Sequence, residues 1–231
     1  MSAYTPQFAP FVVLAFLGTG LLLVASVLLL LIGLLRKSRN SQYWGLLSGA
    51  FLLASYGGIL LGLSLFSREV LLPPGSKKYF CEIDCHLAYS VVDARVSPNV
   101  GPEMQQIAST GKFVVVQLKT WFDPTTISAH RGNGPLTPNE RTVLLQDNAG
   151  HSFKVSARSE IVLSALGLSS TPFSTPLRPG ESYGTYVVFE VPSGAGGLRL
   201  LVTSADRECA FIWTDENSLW HKKIYFGLGP A

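Results

Sequence analysis

The chain has 231 residues, 47% of them hydrophobic and only 14% charged, and a formal net charge of +3; its mean hydropathy is +0.30. Arg36, Lys37 and Arg39 account for the net charge, because from Ser67 onward 15 basic side chains are matched by 15 acidic ones. That balanced remainder has no net field to draw nucleic acid or an anionic surface, and no aromatic and basic side chains interleave, which argues against a nucleic-acid-binding class.

Residues 1–10 carry no charge and read as an N-terminal outside segment. Phe11–Leu35 follows, 25 residues without a charged side chain, and Tyr43–Ser67 is a second uncharged run of 25. At about 1.5 Å per residue each reaches across a bilayer core of about 30 Å. The first run is longer than the apolar core of a signal peptide and has no basic residues ahead of it, so it reads as a span. Residues 36–42, Arg-Lys-Ser-Arg-Asn-Ser-Gln, form the connecting loop. Its three positive charges predict a cytoplasmic loop with both termini, and all that follows, on the periplasmic or extracellular side. Arg68, Lys77 and Lys78 lie beyond the second span and weaken that bias.

Neither span holds Asp, Glu, Lys, Arg or His, which argues against a transporter or proton channel. Ala50, Ala54, Gly58 and Gly62 recur every four residues in the second span, with Gly45 and Gly49 repeating the spacing nearby. Such a ridge lets another helix approach closely. It suits the first span, through Ala15, Gly18 and Gly20, or a second membrane protein. Tyr43 and Trp44 sit where an interfacial aromatic belt is expected.

Residues 68–78, with Leu72-Pro73-Pro74-Gly75-Ser76, read as a linker. From there the period changes to two, predicting a β domain over 79–231. Phe80–Val92 alternates, with Cys81, Ile83, Cys85, Leu87, Tyr89 and Val91 inward and Glu82, Asp84, His86, Ala88 and Ser90 outward. Further strands are expected at Phe113–Phe122, Thr142–Gln146, Ser152–Val155, Tyr183–Val191, Leu198–Val202, Cys209–Trp213 and Lys223–Phe226, with a helical turn at Ser159–Leu166. Short strands between Gly/Pro turns predict an antiparallel β-sandwich. Two long proline-bearing loops, 123–139 and 168–180, are the candidate contact loops, with His130, Arg131 and Asn133 in the first.

Cys81-Glu82-Ile83-Asp84-Cys85-His86 is the sharpest chemical signal. Two thiols and an imidazole suit copper or zinc. On an extended strand Cys81 and Cys85 lie about 13 Å apart and His86 points away, so these three share an ion only if the segment loops or turns. Alternatively Cys209, in a late strand, pairs with Cys81 or Cys85 in an oxidising compartment and leaves one buried thiol. His130, His151 and His221 read as solvated or capping residues. There is no G-x-S-x-G, G-x-G-x-x-G, phosphate loop or H-E-x-x-H, so nothing points to a hydrolase or nucleotide enzyme. Asp215–Lys223 reads as a closing turn whose Trp220 covers the core edge, or as an exposed patch.

Three segments carry a resemblance: Tyr79–Tyr89, Arg131–Asn139 and Pro176–Tyr183. With Phe113–Val116 and Val188–Pro192 they resemble the immunoglobulin-like exported domains of bacterial proteins of unknown function, which implies that fold for Lys78–Leu228 and no catalytic residues. The plan of two spans followed by a β-sandwich is also similar to cytochrome c oxidase subunit II. That family's copper motif is C-x-E-x-C-x3-H-x2-M. Cys81 and Cys85 match it, whereas the acid falls one place early at Glu82, and Tyr89 and Val92 stand at the histidine and methionine positions. The reading is a membrane-anchored, non-enzymatic binding or assembly module with no cofactor, partnered by another membrane or envelope protein. The alternative is a copper or zinc electron-transfer subunit using Cys81, Cys85 and His86.

Overall fold

The computed structural model describes residues 3–5, 9–80, 86–101, 107–127 and 130–229. They form two compact units: residues 1–6, 69–206 and 223–231 make one, and residues 7–68 and 207–222 the other.

The second unit is built on two helices, α1 (Ala9–Leu35) and α2 (Arg39–Leu65). Both are long and apolar enough to cross a membrane. The turn between them is shorter than the seven-residue loop expected from sequence. Ser38 caps α2 by accepting from the Ser41 backbone N–H, so helix starts at Arg39 and absorbs half of the basic segment. The helices meet along Ser26, Leu30 and Gly33 of α1 and Gln42, Gly45 and Gly49 of α2. A Cβ at Gly45 would come within 2.7 Å of the Leu30 nitrogen. Ser48 Oγ donates to Ser26 Oγ at 3.0 Å, and Gln42 Nε2 to the Gly33 carbonyl at 3.0 Å.

The first unit is a sandwich-like pair of five-stranded sheets. One has the order β1 (Ala3–Tyr4), β3 (Lys77–Phe80), β4 (Leu87–Val100), β5 (Ile107–Phe122), β8 (Ser182–Val191). The other runs β2 (Val70–Leu72), β10 (Ile224–Gly227), β9 (Arg199–Ser204), β6 (Arg141–Gln146), β7 (Ser152–Lys154). The sheets are mixed rather than purely antiparallel, because β1 pairs with β3 and β2 with β10 in parallel. Parallel neighbours need long connections, and turn signals in a sequence mark only hairpins. β2 also lies within the stretch that reads as a linker.

Alternation is right for the face between the sheets. Leu87, Tyr89 and Val91 on β4, Val114, Val116, Leu118 and Phe122 on β5, and Val187, Phe189 and Val191 on β8 share one core with Leu145, Leu200, Val202 and Phe226 of the other sheet. It is wrong for the opposite face, where α3 (Ser159–Ala165) puts Val162 and Leu163 against Val100, Phe113, Val115 and Val188. β5 therefore buries the unbroken run Phe113–Val116, the pattern of a strand covered on both sides. Cys209–Trp213, expected as a strand, is instead a 3-10 turn over Arg207–Phe211 followed by tight turns.

Lys78 is a second departure. It counts in sequence as a positive flank of the second span, yet it is 2% exposed. Its ammonium crosses the core and donates to the carbonyls of Val202 (2.6 Å) and Ile224 (3.1 Å). A buried ammonium is tolerable because those backbone oxygens, on the facing sheet, receive it.

Close pairing of β5 with β8 rests on Gly111, where a Cβ would overlap the Val191 carbonyl oxygen. Gly111→Ala is expected to lower the urea midpoint of the chain in detergent, by roughly 1–3 kcal/mol in unfolding free energy. Gly194→Ala, with nothing within 4 Å, is expected to leave it unchanged.

Candidate functional site

Of the chemical signals in the sequence, His86 and Arg131 come together at one end of the sandwich, both against the Phe122 ring. His86, just before β4, meets the loop after β5 and the loop before β8 there. Phe122, the last residue of β5, is their hub. Its N–H donates to the Glu181 carbonyl at 3.0 Å, and its own carbonyl receives the Gly180 N–H at 2.9 Å. The His86 ring stacks on it at 5.5 Å between centroids, and the Arg131 guanidinium lies 4.8 Å from its ring.

Asp123 follows at once and organises the turn. Its Oδ1 accepts from the Thr125 N–H (2.9 Å) and hydroxyl (2.7 Å), and its Oδ2 from the Tyr79 hydroxyl (2.7 Å). The Asp123 N–H donates to the His86 carbonyl at 2.8 Å. The Thr126 hydroxyl donates to the Asp123 carbonyl at 3.0 Å and stands 2.6 Å from His86 Nδ1. Burial pushes the Asp123 carboxyl up, but hydrogen bonds from Tyr79 and Thr125, with the Lys77 charge nearby, outweigh it and hold the group below the usual carboxylate range. Burial first, and then the bond to Asp123 and its charge, push the Tyr79 phenol up to about 12. Lys77 completes the edge, with its ammonium 3.4 Å from the Trp121 ring centroid.

Both Asp123 carboxylate oxygens are thus committed to protein donors. The cluster is a clamp that fixes loops rather than a nucleophile with its base. The two long loops are also tied to each other, since Leu136 and Leu177 exchange both backbone hydrogen bonds at 2.9 and 3.0 Å. The Tyr183 hydroxyl holds the second loop through the Phe173 carbonyl at 2.6 Å. Arg131 Nη1 closes the first onto the Gly134 carbonyl at 2.6 Å. What the end presents outward is polar: His130 and Asn133 are exposed, as are Thr125 and Thr126.

Against expectation His86 is buried, at 4% exposure, because it turns under Phe122 and Thr126 where a regular strand would aim it outward. Cys81 and Cys85 lie outside the described residues, and Cys209 is half-buried in the 3-10 turn. Among the described residues no three His, Cys, Asp or Glu side chains come together as a metal site. His151 locks a tight turn, with Nδ1 2.9 Å from Asp147 Oδ2. His221 Nδ1 stands 2.7 Å from the Lys222 carbonyl. Trp220, which reads in sequence as a cover over the core edge or as part of an exposed contact patch, is 62% exposed. Of the small-residue ridge, Ala50, Ala54 and Gly58 are exposed and Gly62 is half-buried. No atom approaches a Cβ built at Gly58 or Gly62, so α1 packs elsewhere on α2.

Sequence reasoning missed Tyr79, Asp123, Thr125 and Thr126. Asp-Pro-Thr-Thr is the signature of a turn in which side-chain oxygens replace backbone partners, and that signal was available. A cavity of about 300 Å³ on the outer face of the β4–β5–β8 sheet was not legible. Phe113, Val115, Leu168 and Tyr186 line it, with Asp93 and Arg95 among its polar groups, and its walls come from segments far apart in the sequence.

A sandwich-like β unit and a pair of long apolar helices define the class of the protein. No protein-family profile matches the chain, and no curated protein does. Two solved structures are similar. The secreted protein MPT63 of Mycobacterium tuberculosis is 13% identical with a TM-score of 0.41, over 69% of this chain and 98% of its own. A conserved hypothetical protein of Bacillus anthracis is 16% identical with a TM-score of 0.39, over 54% and 87%. Neither likeness is close enough to say anything of this chain's activity.

The clamp predicts a pH signature. The folded Asp123 pKa lies below its unfolded value, so its contribution is complete above about pH 4 and is lost as pH falls through the folded value. The raised Tyr79 pKa works at the other end: stability is complete below about pH 10 and is lost as pH rises toward its folded pKa. Urea midpoints measured from neutral into acid are expected to fall less steeply for Asp123→Asn than for the parent chain, from a lower starting midpoint. An unchanged acid slope would remove the clamp from the argument.

Proposed function

We propose that the chain is a membrane-anchored, non-enzymatic binding or assembly module. Its two helices cross the bilayer, and its β unit is an exported, immunoglobulin-like domain on the same side as both termini. The observation that carries the reading is the open ridge on α2. The seam with α1 uses Gly33, Gly45 and Gly49, while Ala50, Ala54 and Gly58 stay uncovered. In lipid, helices associate through close packing of small residues, so this surface suits a helix of another membrane protein. The clamped loops, with His130 and Asn133 outward, suit an envelope partner that meets a surface already ordered. A pre-ordered surface keeps the entropy cost of association low.

The test is co-purification of the full chain in mild detergent. Gly58→Leu is expected to strip the co-purifying membrane protein while leaving the thermal midpoint of the chain unchanged. Gly45→Leu, which drives a side chain into the Leu30 backbone, is expected to lower that midpoint. Retention of the same partners by Gly58→Leu would refute a role for the ridge.

The copper or zinc alternative has one ring nitrogen of His86 already against Thr126. Elemental analysis of the chain purified without chelator is expected to find less than stoichiometric metal. Bound copper or zinc that disappears in Cys85→Ser would install the electron-transfer reading instead.

A further inference from the structure

The connection from β9 to β10 runs from Arg207 to Lys222 and packs as part of the helical unit. The Tyr56 hydroxyl of α2 donates to the Phe211 carbonyl at 2.7 Å, and Trp213 Nε1 donates to the Tyr56 carbonyl at 3.3 Å. The two rings stack at 4.8 Å. At the other end the Lys222 N–H donates to Ser67 Oγ at 2.8 Å. The segment therefore follows α2 from Tyr56 to Ser67, about 16 Å along the axis.

Its burial is inverted relative to a water-exposed loop. Glu216 and Ser218 are buried at 7% and 4%, whereas Phe211, Leu219 and Trp220 are 60%, 57% and 62% exposed. Part of its backbone is bonded within the segment. Successive turns bond Ile212 to Cys209, Asp215 to Ile212, Ser218 to Asp215 and His221 to Ser218, at 3.0–3.2 Å. Ser218 Oγ donates to the Ile212 carbonyl at 2.6 Å and the Asn217 N–H to Asp215 Oδ1 at 2.7 Å. Trp220 is held at φ +63°, a backbone region that bulky residues rarely adopt and that costs energy. Exposed charge is confined to the two ends, at Arg207, Glu208 and Lys222.

Irregular backbone at membrane depth is tolerated only where protein covers its polar groups, and here the backbone packs on α2 through Tyr56 and Ser67 while large apolar side chains turn outward and Glu216 turns in. We infer that residues 207–222 form a lipid-facing loop that seats Phe211, Leu219 and Trp220 in the bilayer leaflet holding the C-terminal half of α2. The inference rests on the reading that α1 and α2 span the membrane, and it continues the lipid-facing surface of α2 through Tyr56. An α2 of 27 residues is about 40 Å long, some 10 Å more than the hydrocarbon core, so Tyr56 lies roughly 3 to 13 Å beneath the edge of that core. Trp213 and Trp220 then supply the aromatic side chains expected near such a boundary.

The full chain, reconstituted in phosphatidylcholine vesicles with brominated acyl chains, tests this through its four tryptophans. Trp44 lies in α2, Trp121 on β5, and Trp213 and Trp220 in the loop. A chain retaining only Trp220 (Trp44→Phe, Trp121→Phe, Trp213→Phe) is expected to lose as large a fraction of its emission to bromine as a chain retaining only Trp44. A chain retaining only Trp121 is expected to lose almost none. If Trp44 is quenched and Trp220 answers only to aqueous acrylamide, the loop faces water or a protein and the inference fails while the spans stand. If neither Trp44 nor Trp220 is quenched, the spans themselves are wrong and the inference falls with them. Should the triple variant misfold, Trp220→Ser alone in the parent chain serves. It is expected to reduce the bromine-quenchable share of the emission without shifting the thermal midpoint, and an unreduced share overturns the inference.

Discussion

The apolar side chains of α1 and α2 find almost no partners within the chain, and the rest of the structure has to be reconciled with that. Leu35 and Phe66 are exposed at 85% and 88%, and Phe11, Leu21 and Phe51 at 71%, 72% and 70%. At about 25 cal/mol per Å² of apolar surface, leaving two such helices in water would cost more than a domain's whole margin of stability. The helices hold to each other not through bulk but through closeness. Gly33 and Gly45 bring the backbones together, and Ser26 and Ser48 exchange a hydrogen bond that lipid cannot supply. A narrow seam of this kind leaves most of each helix surface uncovered.

The β unit solves the opposite problem, with more covering layers than its sequence advertises. The sheet formed by β1, β3, β4, β5 and β8 buries one face against the other sheet and part of its second face beneath α3. Lys78 then sends a cation through the core to carbonyls of the facing sheet, fixing β3 against β9 and β10. Its removal would take an ammonium donor from both carbonyls, so this side chain ties the two sheets together as well as filling space.

Where periodicity alone governs, the sequence is readable. The two spans fall within four residues of α1 and α2, and the inward residues of β4, β5 and β8 are those that alternation picks out. Legibility ends where a partner is distant in sequence. Alternation puts His86 and Ala88 outside, yet Thr126 and Phe122, some forty residues on, close over His86. The parallel edges β1–β3 and β2–β10 carry no turn signature. The small-residue ridge at Ala50, Ala54, Gly58 and Gly62 has the right spacing for helix packing. Spacing cannot say which of several small-residue faces α1 uses, and the face with Gly45 and Gly49 wins because Gln42 and Ser48 add hydrogen bonds there. Cys209–Trp213 has the composition of a strand, but Trp213 stacks on Tyr56 of α2 and the Phe211 carbonyl takes its hydrogen bond from that residue rather than from a sheet.

That last failure has a physical basis that joins the two halves of the molecule's chemistry. A rule that places apolar residues inward presumes water outside. For residues 207–222 the presumption breaks down: Glu216 is in, Trp220 is out, and the turn backbone is bonded to itself and to Tyr56 and Ser67 of the helical unit. The same reversal holds along α1 and α2, where Gly33, Gly45 and Ser26 are inside and the leucines outside. Segments far apart in the chain obey one inverted rule, whereas β4, β5 and β8 obey the ordinary one. That division is what the proposed membrane anchoring requires, with lipid around the helical unit and water around the strands.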